Sequence, residues 1–215
     1  MPQWLPLFPL NVVLFPHMPL PLHIFEPRYR QMIAECLEEG HSFGVVAIRE
    51  GGETGPATPH DIGTLAKIIK IERLDDGRMN LLVSGASRFE IVKTATDRPY
   101  LRGQVQIIPE LGDDIEATAR LTEATALAFR RYSNLVRALA GQAPQEPEPP
   151  MEPELLSYLI AAALNLQVRD KQALLAERRT DERLRLELRL LRKEITLVKE
   201  LFTHASSATE RAALN

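Results

Sequence analysis

The spacing of apolar and polar positions changes character once along the chain, near Glu110. Before it, apolar residues come in short runs. The first and densest stretch, Leu5 to Met32 (LPLFPLNVVLFPHMPLPLHIFEPRYRQM), interleaves Leu, Val, Ile and Phe with Pro6, Pro9, Pro16, Pro19, Pro21 and Pro27. Proline fixes φ and removes a backbone donor, so no helix runs through Leu5 to Phe25, and the residues between the prolines suit short, half-buried strands. Pro27 has a different role, since a proline at the first helical position loses no bond. After it Tyr29, Met32, Ile33, Cys36 and Leu37 recur on one helical face, and Gly40 marks the stop. The pattern predicts strand, tight bend, strand, then an amphipathic helix docked back on the sheet.

Phe43 to Ile48 (FGVVAI) reads as a buried strand, and Arg49 to Gly63, rich in Gly, Pro and Thr, reads as a long surface loop. Leu65 to Leu74 and Met79 to Gly85 flank Asp76-Gly77, a good hairpin turn because both of its central residues tolerate φ > 0. Ser87 to Thr94 and Tyr100 to Ile108 complete the strands. In the last of these, Leu101, Gly103, Val105 and Ile107 alternate with Arg102, Gln104 and Gln106, which gives one wet face.

Beyond Gly112 the chain turns rich in Ala, Leu and Arg, good helix formers. Leu121, Thr125, Ala128, Tyr132, Leu135 and Leu139 predict a helix over 115–140, ended by Gly141. Pro144 to Pro153 (PQEPEPPMEP) reads as an extended acidic connector. Leu155 to Leu164 is a short helix, and Asp170 is placed to cap another over 171–177. Thr180 opens the longest helix, with Asp181 and Glu182 at its positive end. Its seam is Leu184, Leu188, Leu191, Ile195, Val198 and Phe202. A second set, Leu186, Leu190, Leu197 and Leu201, widens the stripe toward that of a bundle helix rather than a coiled coil.

Three stretches resemble the substrate-binding N-terminal domain of Lon proteases, a family also found in cereblon. They are the Leu5–Ile33 region, the segment GTLAKIIKIERLDDGRMNLLVSGASRFEIVK, and the helical LLSYLIAAALNLQVRDKQALLAERRTDERLRLELRLLRKEI. Gly63-Thr64, Gly85, Arg88, Phe89, Asp170-Lys171-Gln172 and Asp181-Glu182-Arg183-Leu184 carry the match. The resemblance implies an α+β fold. Residues 1–110 would form a PUA-like β pseudo-barrel with one early helix, and residues 111–215 a C-terminal helical bundle ending in the long helix. It further implies a module that binds exposed apolar segments of unfolded or partly folded polypeptides as an adaptor, sensor or chaperone-like factor. A separate Lon-type protease is an implied partner. No lysine directly follows a glycine, so the chain has no G-x-x-x-x-G-K-[ST] phosphate loop, and the expectation is the recognition part without ATPase or protease domains.

Composition narrows the functions. The chain is 45% hydrophobic and 26% charged, enough for a real core, and a net charge of −3 argues against a general nucleic-acid binder. PUA-like barrels that bind RNA are nevertheless the alternative reading. It would rest on Arg178, Arg179, Arg183, Arg185, Arg189 and Arg192, a run interrupted by Glu177, Glu182, Glu187 and Glu194. One cysteine forbids an internal disulfide, the N-terminus lacks a basic signal-peptide region, and no apolar window approaches a membrane span; a cytoplasmic protein is expected. Cys36 sits on an apolar helical face, as a packing thiol would. His17, His23, His41, His60 and His204 show no ligand spacing. Asp75-Asp76 and Asp113-Asp114 lie beside glycines, as turn residues do. No metal, cofactor or enzyme is therefore expected. The candidate polypeptide-binding residues are His17, Met18, Phe25, Arg28 and Tyr29. The prolines keep this backbone at an edge, Met18 offers an adaptable thioether, and Tyr and Arg are favoured anchors. Phe25 and Tyr29 are equally suited to pinning the helix to the barrel.

Overall fold

Proline spacing sets the first two strands. β1 (Gln3–Leu10) carries Pro6 and Pro9, β2 (Pro19–Ile24) carries Pro19 and Pro21, and α1 (Pro27–Glu39) follows with Pro27 in its first turn. The computed structural model describes residues 3–40, 42–111, 114–144 and 148–200, with the backbone alone for 201–213. His41, Asp113, the side chains of Leu201, Phe202 and His204, and the 145–147 part of the connector lie outside what is described. The fold mixes a six-stranded sheet with five helices. By contacts the chain forms two compact units, Met1–Glu110 with Ala161–Arg178, and Leu111–Ile160 with Arg179–Asn215.

In the first unit, β3 (Phe43–Gly51), β4 (Ala57–Arg73), β5 (Met79–Ala95) and β6 (Arg102–Ile107) join β1 and β2 in the order β2-β5-β4-β3-β1-β6. β6 also pairs with β5, so five strands close on themselves and β2 extends one end. β1 runs parallel to β3 and every other pair is antiparallel. Closure follows from the length of β5: β2 pairs with its start, Met79 to Ser84, β6 with its end, Phe89 to Ala95, and β4 with its other edge from Met79 to Glu90. The two strands expected over 79–94 are thus one bent strand. The bend lies at Gly85, where an added Cβ would stand 2.1 Å from the Phe15 carbonyl oxygen.

The loop expected over 49–63 is largely strand. β3 reaches Gly51, β4 starts at Ala57, and only the turn between them remains. Gly and Pro are weak strand formers locally. Here pairing decides, with Ile48 opposite Pro59 and Glu50 opposite Thr58 across register shifts that accommodate the proline. Gly63 admits the neighbouring Phe89 ring, fully buried, and the Thr64 hydroxyl donates to the Leu14 carbonyl at 2.6 Å. α1 buries Tyr29, Met32, Ile33 and Cys36 as predicted. Leu37 is exposed, because it lies about 80° round the helix from Tyr29, at the margin of the stripe.

α4 (Val168–Ala176) packs on β4 in this unit, where Gln172 Nε2 donates to the Ile62 carbonyl at 2.8 Å. Lys171 Nζ donates to the Ala162 carbonyl near the end of α3 (Pro153–Ala163). Asp170 does not cap α4. Gln167 holds that position without a side-chain bond, and Asp170 lies in the first turn, where its charge still faces the positive helix end.

In the second unit, α2 (Ile115–Leu139) packs against α5 (Thr180–Ala213). Asp114 caps α2 by accepting from Ala117 N–H. The buried face of α2 is Thr118, Thr122, Thr125, Ala126 and Tyr132, rotated from the predicted leucine seam, and Leu139 is exposed. Thr122 returns its hydroxyl to the Thr118 carbonyl, which lets a threonine sit in the interior. α5 buries Leu184, Leu188, Leu191, Ile195 and Val198, the predicted seam. Leu197 of the second set is exposed.

Candidate functional site

The free edge of β2 borders an open cleft. Among the described strands β2 pairs only with β5. Gly85 N–H donates to the Met18 carbonyl at 3.0 Å, so the hydrogen-bonded positions alternate from there through Leu20, Leu22 and Ile24. Pro19, Pro21 and His23 therefore turn their backbone to the free side. Two of these three lack an N–H, so the edge offers carbonyls and a single donor. An added strand could not pair fully there, which protects the edge from sheet extension.

The cleft beside this edge holds about 220 Å³. Its floor is apolar. Phe8 of β1 and Tyr29 of α1 pack at 4.2 Å between ring centroids, flanked by Leu10, Leu22 and Ile24. Tyr29 is only 4% exposed, and burial pushes its hydroxyl pKa up; Arg28 acts in the opposite sense, and Glu26 and Glu53 act with burial. Phe25 stands at the rim, 53% exposed, its ring stacked on His23 at 6.0 Å. His23 Nδ1 lies 2.7 Å from Asn80 Oδ1, which fixes the imidazole. Glu26, Glu53 and Thr54 complete the rim.

Arg28 braces that rim. Its Nε donates to Glu26 Oε2 at 2.9 Å and its Nη2 to the Glu53 carbonyl at 2.7 Å, with the guanidinium 4.5 Å from the Tyr29 ring centre. Asn11 N–H donates to Glu53 Oε1 at 2.6 Å. The short turn between β3 and β4 is thereby tied to both α1 and the end of β1.

The structure brings Phe25, Arg28 and Tyr29 together and places His17 and Met18 at the other end of β2, about 20 Å of strand away. His17 has φ 64° in a tight turn after Pro16, in which Met18 N–H donates to the Phe15 carbonyl. Phe8, Leu10 and Glu53 are the site residues that sequence reasoning missed. The proline-spaced β1 was legible, but its approach to a turn some forty residues later was not. Cys36 is buried, and burial followed by Glu39 and Glu35 pushes its thiol up to about 11. Of the arginines in the 178–192 run, Arg183 is fully buried, Arg179 pairs with Asp181 at 2.8 Å, and Arg185 pairs with Glu182. Among the described residues no three His, Cys, Asp or Glu side chains gather to hold a metal, and no helix is long and apolar enough to cross a membrane.

A family model described as the ATP-dependent protease La (LON) substrate-binding domain matches residues 4–193. A Lon protease of Anaeromyxobacter dehalogenans is 29% identical over 203 residues, 92% of this chain and 24% of its own length. A Lon protease of Roseiflexus castenholzii is 31% identical over 211 residues, 97% of this chain and 26% of its own. The chain thus spans about a quarter of the length of the curated relatives it matches. The crystal structure of a Lon N-terminal domain protein from Xanthomonas campestris is similar with a TM-score of 0.63 and 26% identity, covering 86% of this chain and 97% of that one. The N-terminal domain of a Mycobacterium avium complex Lon protease has a TM-score of 0.69 over 88% of this chain and 98% of its own; at 21% identity that likeness is one of fold.

Proposed function

The chain belongs to the family of Lon substrate-binding domains, and from that premise we propose that it captures exposed apolar segments of unfolded or partly folded polypeptides in the cleft between β1 and β2. The observation that carries this is Phe25, a large aromatic left half in water beside an open cleft floored by Phe8 and Tyr29. Isolated apolar residues are ordinary on surfaces, but one at the mouth of an apolar cleft is an anchor. Phe25 and Tyr29 make the contact, and Arg28 acts through the turn it braces. His17 and Met18 join the surface only for a segment that runs the length of β2. In this reading the closed strands are a PUA-like pseudo-barrel and the helices of the second unit a bundle. The chain itself carries out no catalysis and serves as a cytoplasmic adaptor, sensor or chaperone-like factor, with Lon-type protease machinery as the partner that acts on what is captured.

The test is titration of a permanently unfolded model protein against wild type and Phe25→Asp. The variant should keep the wild-type melting temperature and lose about tenfold in affinity, as expected for an aromatic anchor. Unchanged affinity would place the site elsewhere. Binding that falls steeply with salt and is competed by RNA would favour nucleic acid as the ligand.

A further inference from the structure

We infer that the cleft selects apolar segments flanked by basic residues, so that the preferred occupant is a short extended peptide with Lys or Arg beside its apolar core. This rests on the reading of the cleft as the polypeptide site. Three observations carry it. First, the rim holds two carboxylates, Glu26 and Glu53, and among the described residues no Lys or Arg lines the cleft. Second, those carboxylates are not equivalent. Glu26 is matched by Arg28, whereas the Glu53 carboxylate accepts from the neutral Asn11 N–H; Arg28 reaches the Glu53 backbone carbonyl, and no cation stands within ion-pair distance of the carboxylate among the described residues. Its negative charge is left for a ligand. Third, the backbone bordering the cleft presents acceptors. Pro21 and His23 turn carbonyls outward with only the His23 N–H between them, so a donor-rich partner is matched and an acceptor-rich one is not. An acidic segment would meet uncompensated like charge at Glu53, which is the repulsive half of a specificity device.

The experiment uses the full chain and three synthetic peptides that share one Leu-Phe core and are flanked by lysines, glutamines or glutamates. Anisotropy titrations at low and physiological salt give the affinities. Wild type should rank them lysine, glutamine, glutamate, with about tenfold between the extremes at low salt and less at higher salt. Glu53→Gln keeps an acceptor for Asn11 N–H and should shrink that ratio to about twofold. Glu53→Lys should invert the order. Equal affinity of wild type for the lysine and glutamate peptides would overturn the charge selection alone. So would a ranking that persists unchanged in Glu53→Lys. Failure of all three peptides to bind wild type would instead overturn the cleft as the polypeptide site, and the selection with it.

Discussion

Arg88 is 2% exposed, and its guanidinium donates to the Leu175 carbonyl at 2.7 Å, the Glu177 carbonyl and the Glu110 carboxylate. It closes the end of α4, where carbonyls lack helical partners, and ties that end to β5. Arg88→Ala should cost about 3 kcal/mol, at the low end for a broken buried pair because Glu110 keeps some contact with water; urea unfolding gives the figure. A second buried charge lies in the other unit. Arg183 Nε donates to Ser157 Oγ at 2.6 Å, and Ser157 Oγ donates to Glu187 Oε1 at 2.8 Å. Glu187 Oε2 is buried without a hydrogen bond. Burial raises the Glu187 pKa well above its ordinary 4.5, against the opposing pull of Ser157 and Arg183. A carboxyl raised in the folded state stabilises fully below the unfolded value, and that contribution fades as pH rises toward the folded value. Wild type should therefore lose stability with rising pH above about 4.5 relative to Glu187→Gln, whose amide does not titrate. A difference between the two that stays constant from pH 4 to 8 would show that folding does not raise the Glu187 pKa. These buried charges were invisible in the sequence, where Arg183 and Glu187 read as members of a solvated charge run. Nothing in local spacing announces that Ser157, some thirty residues earlier, will meet them.

Elements were legible where local covalent constraint dictates them. Prolines excluded helix from β1 and β2, Pro27 opened α1, and the seam of α5 came directly from its leucine spacing. Elements decided by a partner were not. The hairpin arms around 51–57 form because β3 and β4 pair, and the face of α2 is set by threonines small enough to pack against α5. The bend in β5 belongs to the same class, since Gly85 is needed by the chain crossing it. Two glycines separate local from tertiary demand. Gly40 ends α1 with φ 64° and open space around it, so Gly40→Ala should cost about 1 kcal/mol from backbone conformation alone. At Gly85 the obstacle is the backbone of Phe15 and Pro16, which pairs with Gly85 in a bridge and cannot rotate away. Gly85→Ala should cost about 3 kcal/mol, the upper range for overpacking. Equal thermal shifts for the two variants would mean that the Pro16 crossing yields more readily than its bonds imply.

At the scale of the molecule, the first unit has an interior of its own, and Cys36 reports on it. The thiol lies on the buried face of α1, in one core cluster with Met32, Ile33, Phe43 and Tyr100. The same cluster holds Phe8 and Tyr29, the floor of the cleft, so site and core share residues. That sharing explains why Tyr29, a candidate anchor in the sequence, is also a packing residue. With its pKa pushed up to about 11 and no solvent access, the thiol is slow to react while the unit stays closed. Labelling by a thiol reagent then measures the opening of this unit, provided reclosing outpaces reaction. Wild type should label orders of magnitude more slowly than the same chain in denaturant. Arg88→Ala lies in the same unit, and a loss of about 3 kcal/mol raises the open population roughly a hundredfold, so labelling should accelerate by that factor. Phe25→Asp, at an exposed position, should leave the rate unchanged, which separates lost binding from lost structure in the polypeptide titration. If Arg88→Ala lowers urea stability without accelerating the thiol, Cys36 is reached by local fraying of α1 rather than by opening of the unit. In that case the helix that floors the cleft moves independently of the strands beneath it.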